Sequence, residues 1–365
     1  MLPLENEVGV SVIISDSTLR DGNHAIRHQL SLKQVCGYAA AAEKAGIDIV
    51  EVGHGNGLGG SSSLLGFSAV SDREMLEAAR AQLVRSLLGV HFIPGLGKSA
   101  DIAMALDIGV DIVRVASHCT EANITARFIE QTRTAGKTAY GVLMMAHMAS
   151  PEKLLEQAKL MEDYGAHAVI IMDSAGYSSP NMVRERIGLL SNHLNIQVGF
   201  HGHNNLSVAV ANTLVAVEAG ASIVDGCIRG FGAGAGNTQL EPLVAILERS
   251  GVAVSTSFER MIELVKDADK LLQPETPHIQ ISNIASGLYG LFSGYVPHVQ
   301  RAARKFAVSE FELYKRLAER NLVAGQEDVI IEEASRLATD NILDKMTRSS
   351  DTPEPLEVSL LSTHR

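Results

Sequence analysis

Short, mostly apolar runs recur along the chain, each followed by a polar stretch and then by an amphipathic one. Val12-Ile13-Ile14 is the first, and Ile47 to Val52, Ser86 to Ile93 and Asp111 to Val115 follow it. Thr138 to Met145, Ala168 to Met172, Gln197 to Phe200 and Ser222 to Cys227 complete the series. Between them, Ser31 to Ala45, a segment starting near Ser71, Ala100 to Asp107, Ala122 to Thr134 and Glu152 to Tyr164 have helical character. Strands that are apolar on both faces must be covered on both sides, and their alternation with helices implies a parallel sheet. Eight such units in about 250 residues predict an α/β fold, a closed (β/α)8 TIM barrel rather than an open sheet.

After about residue 275 the cadence stops. Pro274, Pro277 and Pro297 punctuate the segment, and Arg301 to Ala338 reads as a few short helices. The expected organisation is therefore a TIM-barrel catalytic domain over 1–275 and a small C-terminal helical domain over 276–346. Residues 347–365, with their Ser349-Ser350-Asp351-Thr352-Pro353-Glu354-Pro355 run, are expected to form a disordered tail.

Composition narrows the classes. No apolar run approaches the roughly 18 residues that span a bilayer, and Met1 to Val10 shows no secretory pattern. A soluble, cytoplasmic protein is expected. A net charge of -11 argues against a nucleic-acid surface. Cys36, Cys119 and Cys227 are widely spaced without a C-x-x-C pair, which argues against a disulfide framework or a thiolate zinc site.

A barrel gathers its active site at the carboxyl ends of its strands, and polar residues do fall there. The first strand leads into Arg20-Asp21-Gly22-Asn23-His24; the second ends in Glu51 with His54 beyond; the fourth ends in Arg114 and leads to Ser117-His118. The sixth ends in Asp173-Ser174 and the seventh in His201-Gly202-His203. Residues i and i+2 of a strand share a face, so His201 and His203 can converge on one cation. Asp21 is the carboxylate best placed to join them, because strand one neighbours strand eight, which neighbours strand seven. Arg20 offers a fork of donors suited to a carboxylate or enolate oxygen, and His24 can exchange a proton near neutrality. The same residues could instead cap loops or the next helix.

Two glycine runs carry less. Gly55-Asn56-Gly57-Leu58-Gly59-Gly60 contains G-x-G-x-x-G after a strand, but serines rather than a helix follow it, which argues against dinucleotide binding. Gly230 to Asn237 follows strand eight and suits either a close turn or backbone amides turned toward a ligand.

Ser15 to Gln29 resembles the signature loop of the 4-hydroxy-2-oxovalerate aldolases, within the DRE-TIM metallolyase superfamily. Similar matches recur at Val52 to Leu58, Arg114 to Glu121, Leu143 to Met148, His201 to Ser207, Gly232 to Asn237 and Gly325 to Asp328, so the resemblance covers about residues 10 to 340. It implies a divalent-metal-dependent class II aldolase that reversibly cleaves a 4-hydroxy-2-oxo acid to pyruvate or a related 2-oxo acid plus an aldehyde. Family members commonly serve aromatic hydrocarbon catabolism. By resemblance, Asp21, His201 and His203 would hold the cation, usually Mn2+, with Mg2+ or Co2+ as alternatives. Arg20 would stabilise the pyruvate enolate, His24 would take the proton from the 4-hydroxyl, and Ser174 would help bind the oxo acid. The helical appendage would cover the active site and dock an acylating aldehyde dehydrogenase, and the chain is expected to be oligomeric.

Two positions depart from the family pattern. Phe292 aligns with a family tyrosine near the active site, and Tyr289 and Tyr295 flank it as candidate replacements. His91-Phe92-Ile93 stands where aliphatic side chains usually line the aldehyde pocket. The expectation is an unchanged metal–enolate half and an altered aldehyde half, suited to a larger or aromatic aldehyde. The alternatives are a Claisen-type acyl-CoA condensing enzyme similar to isopropylmalate synthase, or a silent partner subunit. Ala233-Gly234-Ala235, where the condensing enzymes carry Glu-Arg, disfavours the first; the intact Arg20, Asp21, His24, His201 and His203 set disfavours the second.

Overall fold

The alternating apolar and amphipathic segments resolve into eight strands, each followed by a helix, in a computed structural model that describes residues 11–272, 279–323 and 325–350. The first half comprises β1 (Ile13–Leu19), α1 (Leu32–Ala45), β2 (Ile49–Val52), α2 (Asp72–Arg80), β3 (Leu87–Phe92), α3 (Ser99–Ile108), β4 (Ile112–His118) and α4 (Ala126–Thr134). The second comprises β5 (Thr138–Met144), α5 (Pro151–Asp163), β6 (Ala168–Asp173), α6 (Pro180–His193), β7 (Gln197–Gly202), α7 (Ala209–Glu218), β8 (Ile223–Gly226) and α8 (Leu240–Arg249). Each strand pairs in parallel with the next, and β8 pairs with β1 through Ser15 opposite Asp225, closing a TIM barrel. Among the described residues, no helix is long and apolar enough to cross a membrane.

Side-chain alternation sorts the strands into two apolar layers. Val50, Val90, Phe92, Val113, Val169 and Val224 point outward into the shell packed by the helices. Ile49, Ile112, Tyr140, Ile170 and Ile223 fill the barrel interior. Helix starts follow local sequence: Ser31 and Ser71 each accept from the third helical amide while Gln34 and Glu74 reach back, closing capping boxes.

Two sequence expectations need correction. The first strand does not stop at Ile14 but runs to Leu19 through four polar residues. Those residues are satisfied on both faces: Tyr38 on α1 donates to Asp16 Oδ2 at 2.6 Å, and Thr18 Oγ1 accepts from Ile228 N at 2.9 Å. A polarity pattern alone cannot show that partners wait on either side.

Beyond the barrel lie α9 (Phe258–Leu272), α10 (Ile281–Leu288), α11 (Val296–Phe306), α12 (Glu310–Glu319) and α13 (Glu327–Ser350). α9 packs on α1, whereas α11 to α13 share their own core around Val299, Leu313, Leu317, Ile330 and Ala334. α13 continues to Ser350, so the segment expected to be a tail from 347 begins as helix. The remainder of that expectation, 351–365, lies outside the described residues. The helices reach the barrel mouth through Ser293, whose amide donates to Ser174 O at 3.2 Å and whose hydroxyl donates to Asn205 Oδ1 at 3.0 Å.

Candidate active site

Three strands and one loop build the centre of the mouth. β7 turns His201 inward, and His203, two residues on, follows it at the strand's end. Asp21 opens a single 3-10 turn directly after β1. The ligand atoms of Asp21, His201 and His203 lie within 4.8 Å of one another, and all three residues are buried. His201 Nε2 and His203 Nδ1 have no hydrogen-bond partner. Buried polar atoms rarely go unpaired, and two imidazole lone pairs converging on a carboxylate fit a divalent cation.

Asp21 and His201 are held from behind. Asp225 Oδ2 lies 2.9 Å from His201 Nδ1, which fixes the imidazole with its proton on Nδ1 and its lone pair on Nε2. Asp225 is itself held by Arg114. Asn237 Nδ2 donates to Asp21 Oδ1 at 2.9 Å and to Phe231 O at 2.9 Å, leaving Asn237 Oδ1 without a partner. Gly232 must be glycine: at φ 156° its backbone passes so close that a Cβ would lie 2.8 Å from Asp21 Oδ1 and 2.4 Å from Asn237 Nδ2.

Arg20 joins this centre to the opposite side of the mouth. Its guanidinium donates to Asp21 Oδ2, to Gly55 O at 3.3 Å and to Glu51 Oε2 at 3.2 Å. Glu51 Oε2 also accepts from Arg114 at 3.1 Å, so the two arginines share one carboxylate. Burial pushes the carboxyl groups of Asp21 and Glu51 up, but Arg20 with the imidazoles around Asp21, and Arg114 with Arg20 around Glu51, hold both well below the usual range. Both are therefore carboxylates at neutral pH. Burial lowers His203 to about 4, so its imidazole is neutral and able to donate a lone pair.

His24 ends the turn begun by Asp21 and lies against Gly55, where a Cβ would come within 2.5 Å of the ring. Two further imidazoles stand behind it. His28 packs on His24 with ring centroids 4.9 Å apart and stacks on His54 at 3.7 Å. Burial lowers the pKa of His24 below the ordinary histidine value, partly offset by Asp21. A neutral imidazole beside an arginine and a carboxylate is a competent proton acceptor.

The remaining sequence candidates are distributed unevenly. Ser174 Oγ accepts from Met145 N at 3.0 Å, at the foot of the contact with Ser293. His91 lies inside the barrel with Nδ1 3.6 Å from Glu51 Oε1. Phe292 precedes Ser293 and meets Tyr295 edge-on at 5.6 Å. Tyr295 is not an available replacement for a mouth tyrosine: its hydroxyl donates to Val323 O and accepts from Gln326 N at 3.2 Å, inside the helical core. Tyr289 lines a separate cavity of about 300 Å³ with His147, Tyr177 and Asn321. Asp225 and Asn237 escaped the sequence reading. The only signal for Asp225 was a lone charge in an apolar strand; Asn237 was visible solely as the end of the glycine run.

The HMGL-like family model matches residues 11–267, and the DmpG-like communication domain model matches 277–339. Solved structures share the fold: the carboxyl transferase domain from Rhizobium etli pyruvate carboxylase superposes with a TM-score of 0.75 at 16% identity, covering 92% of this chain and 61% of that one. Curated relatives are much nearer in sequence. A 4-hydroxy-2-oxovalerate aldolase from Burkholderia pseudomallei (strain 668) is 69% identical over 336 residues, covering 92% of this chain and 97% of the relative. Proteins of the same name from Spirochaeta aurantia and Pectobacterium atrosepticum are 52% and 50% identical, covering 90% of this chain and 97% and 96% of their own lengths. With identities at this level over nearly the whole barrel and helical region, the chain belongs to the 4-hydroxy-2-oxovalerate aldolase family.

Proposed function

We propose that this protein is a divalent-metal-dependent aldolase that reversibly cleaves a 4-hydroxy-2-oxo acid, of the 4-hydroxy-2-oxovalerate type, into pyruvate or a related 2-oxo acid and an aldehyde. The observation that carries the reading is the buried cluster of Asp21, His201 and His203, whose ligand atoms lie within 4.8 Å of one another. Asp21, His201 and His203 would hold the cation, with Asn237 Oδ1 as an additional oxygen donor on the side chain that positions Asp21. A mixed nitrogen and oxygen set suits Mn2+, and a cation bound there supplies Lewis-acid polarisation of the 2-oxo group.

The protein's own groups account for the rest. Arg20, fixed by Glu51, Gly55 and Asp21, presents positive charge where the enolate oxygen develops. His24 accepts the proton of the 4-hydroxyl as the C3–C4 bond breaks and the aldehyde carbonyl forms. The bond's electron pair passes into the enolate, which is then protonated to give the 2-oxo acid. Ser174 lies at the mouth where the oxo acid would sit. Burial of Arg20, Asp21 and Glu51 keeps bulk water from screening these charges.

The barrel, 1–275, would carry this chemistry, and 276–346 would cover the mouth and dock an acylating aldehyde dehydrogenase; the match to a communication domain supports that role. His91 and Phe292 suggest that the aldehyde half has changed. Purified protein loaded with Mn2+ and given 4-hydroxy-2-oxovalerate should release pyruvate, and longer aldehydes should outcompete acetaldehyde in the condensation direction. No pyruvate release would end the aldolase assignment, whereas a plain preference for acetaldehyde would remove only the altered aldehyde half.

A further inference from the structure

The turn that carries Asp21 and His24 runs on into an uncommon piece of backbone. Arg27 and His28 are consecutive non-glycine residues in the left-handed region, at φ 55° and 62°. Strain of this kind persists only where the surrounding structure over-determines it. Two bonds do so here: His28 N donates to Asn23 O at 2.8 Å, and His28 O accepts from Ala69 N at 3.0 Å. The His28 side chain thereby returns to the turn the chain has just left, and its ring packs on His24 with centroids 4.9 Å apart. His28 is 6% exposed and belongs neither to the metal group nor to the proton transfer assigned to His24.

The ring is fixed on its other sides as well. His28 Nδ1 accepts from Gly55 N at 3.4 Å, so the proton sits on Nε2. Burial, with His24 and His54 close by, lowers the imidazole to about 3 and keeps it neutral. One face of the ring stacks on His54 at 3.7 Å. His54 is anchored in turn: its Nδ1 accepts from Asn56 N at 3.0 Å, and its Nε2 therefore donates to Gly66 O, 3.1 Å away.

Gly55 connects this stacked pair to the chemistry. Its amide is taken by His28, its carbonyl accepts from Arg20 at 3.3 Å, and a Cβ on it would lie 2.5 Å from the His24 ring. His28 therefore bears on His24 twice, directly through the ring contact and again through Gly55. Arg20 is better insulated, because its bonds to Asp21 and Glu51 do not involve Gly55. Loosening His28 disturbs the proton acceptor before it disturbs the group that faces the enolate.

We propose that His28 is a positioning residue for the proton acceptor: bonded to Gly55 and stacked on His54, it fixes the place from which His24 reaches the 4-hydroxyl of the substrate. The inference rests on the aldolase reading and goes beyond it. It makes the proton transfer, rather than enolate stabilisation, depend on a side chain that touches neither substrate nor cation. Misplacing a reacting group by about 1 Å costs on the order of 100-fold in rate.

Two reactions of the Mn2+-loaded protein separate the roles. Cleavage of 4-hydroxy-2-oxovalerate needs an acceptor for the hydroxyl proton. Decarboxylation of oxaloacetate breaks its C3–C4 bond with loss of CO2 and passes the electron pair into the same enolate, with no hydroxyl proton to remove. Both rates are taken after subtracting that of Mn2+ alone. A wild type that releases no pyruvate from 4-hydroxy-2-oxovalerate overturns the aldolase reading itself, whatever His28 does. His28→Phe, which keeps a ring but loses the acceptor, should lower kcat for cleavage by about 100-fold and kcat for decarboxylation by far less. His28→Asn, which suits left-handed backbone and can accept from Gly55 N, should recover part of the cleavage rate. Each comparison is a ratio of the two reactions within one variant, so a loss of folded protein cancels. An equal change in both reactions, or a His28→Asn ratio no better than that of His28→Phe, would overturn the proposal and leave His28 as a structural prop.

Discussion

The two sides of the barrel mouth are built from the same residue types but held with different firmness. On the β7–β8–β1 side, Asp225 orients His201, Arg114 holds Asp225, and Asn237 orients Asp21. Among the atoms left unsatisfied there, His201 Nε2, His203 Nδ1 and Asn237 Oδ1 offer lone pairs suited to a cation. On the β2–β3 side, Glu51 Oε1 and His91 Nδ1 face each other just beyond bonding distance, and His24 leans on two neutral imidazoles. On the firm side Asp21 accepts from Arg20, Ala233 N and Asn237, and His201 is paired with Asp225; on the other, more adjustable side His91 Nδ1 makes no hydrogen bond. The proposed cation ligands lie on the firm side.

Substitutions on the firm side should have the largest effects. Asp21→Ala should cost more than the roughly 100-fold typical of residues that only support a ligand, both in metal retention and in turnover. Metal analysis after gel filtration, alongside 4-hydroxy-2-oxovalerate cleavage, checks this, and stoichiometric metal in the variant would break the assignment of that side. Asp225→Asn comes next. It keeps the shape but loses the charge that fixes the His201 tautomer, and metal affinity should fall by about 10- to 100-fold. A competitive chelator titration gives the number.

The adjustable side predicts smaller changes. Because burial depresses His24, its proton-accepting form persists below the ordinary histidine value. The turnover rate should therefore stay level as pH falls through about 6.5 and decline only at lower pH. A half-maximal rate at or above 6.5 would show that His24 is not the group that must be deprotonated. Phe292→Tyr should have the smallest effect, about fivefold at most for a single added hydrogen bond, seen as a change in the acetaldehyde-to-propanal ratio. An effect of that size would place position 292 on the adjustable side; none would confine it to the helical core beside Tyr295.

Much of this was legible in the chain. Hydrophobic periodicity is local, so eight apolar runs alternating with amphipathic ones were enough for the barrel, and His-x-His on one strand was enough to put two imidazoles on one face. The extent of β1 was not legible, since Ser15 to Thr18 look like a loop until Tyr38 and Ile228 are seen to satisfy them. Neither could spacing separate Phe292, Tyr289 and Tyr295, which lie within seven residues yet face a ring contact, an outer cavity and an internal hydrogen bond.

The sequence by itself determined the architecture and the identity of the groups that can bind a cation, because patterning and residue chemistry act over a few positions at a time. Only the tertiary structure decided how those groups are poised. Asp225 behind His201, Asn237 beside Asp21 and Glu51 between two arginines are bonds between residues 24, 216, 63 and 31 positions apart. Closure of the barrel brings them together, and their charges and tautomers follow from burial and neighbours that no local pattern encodes.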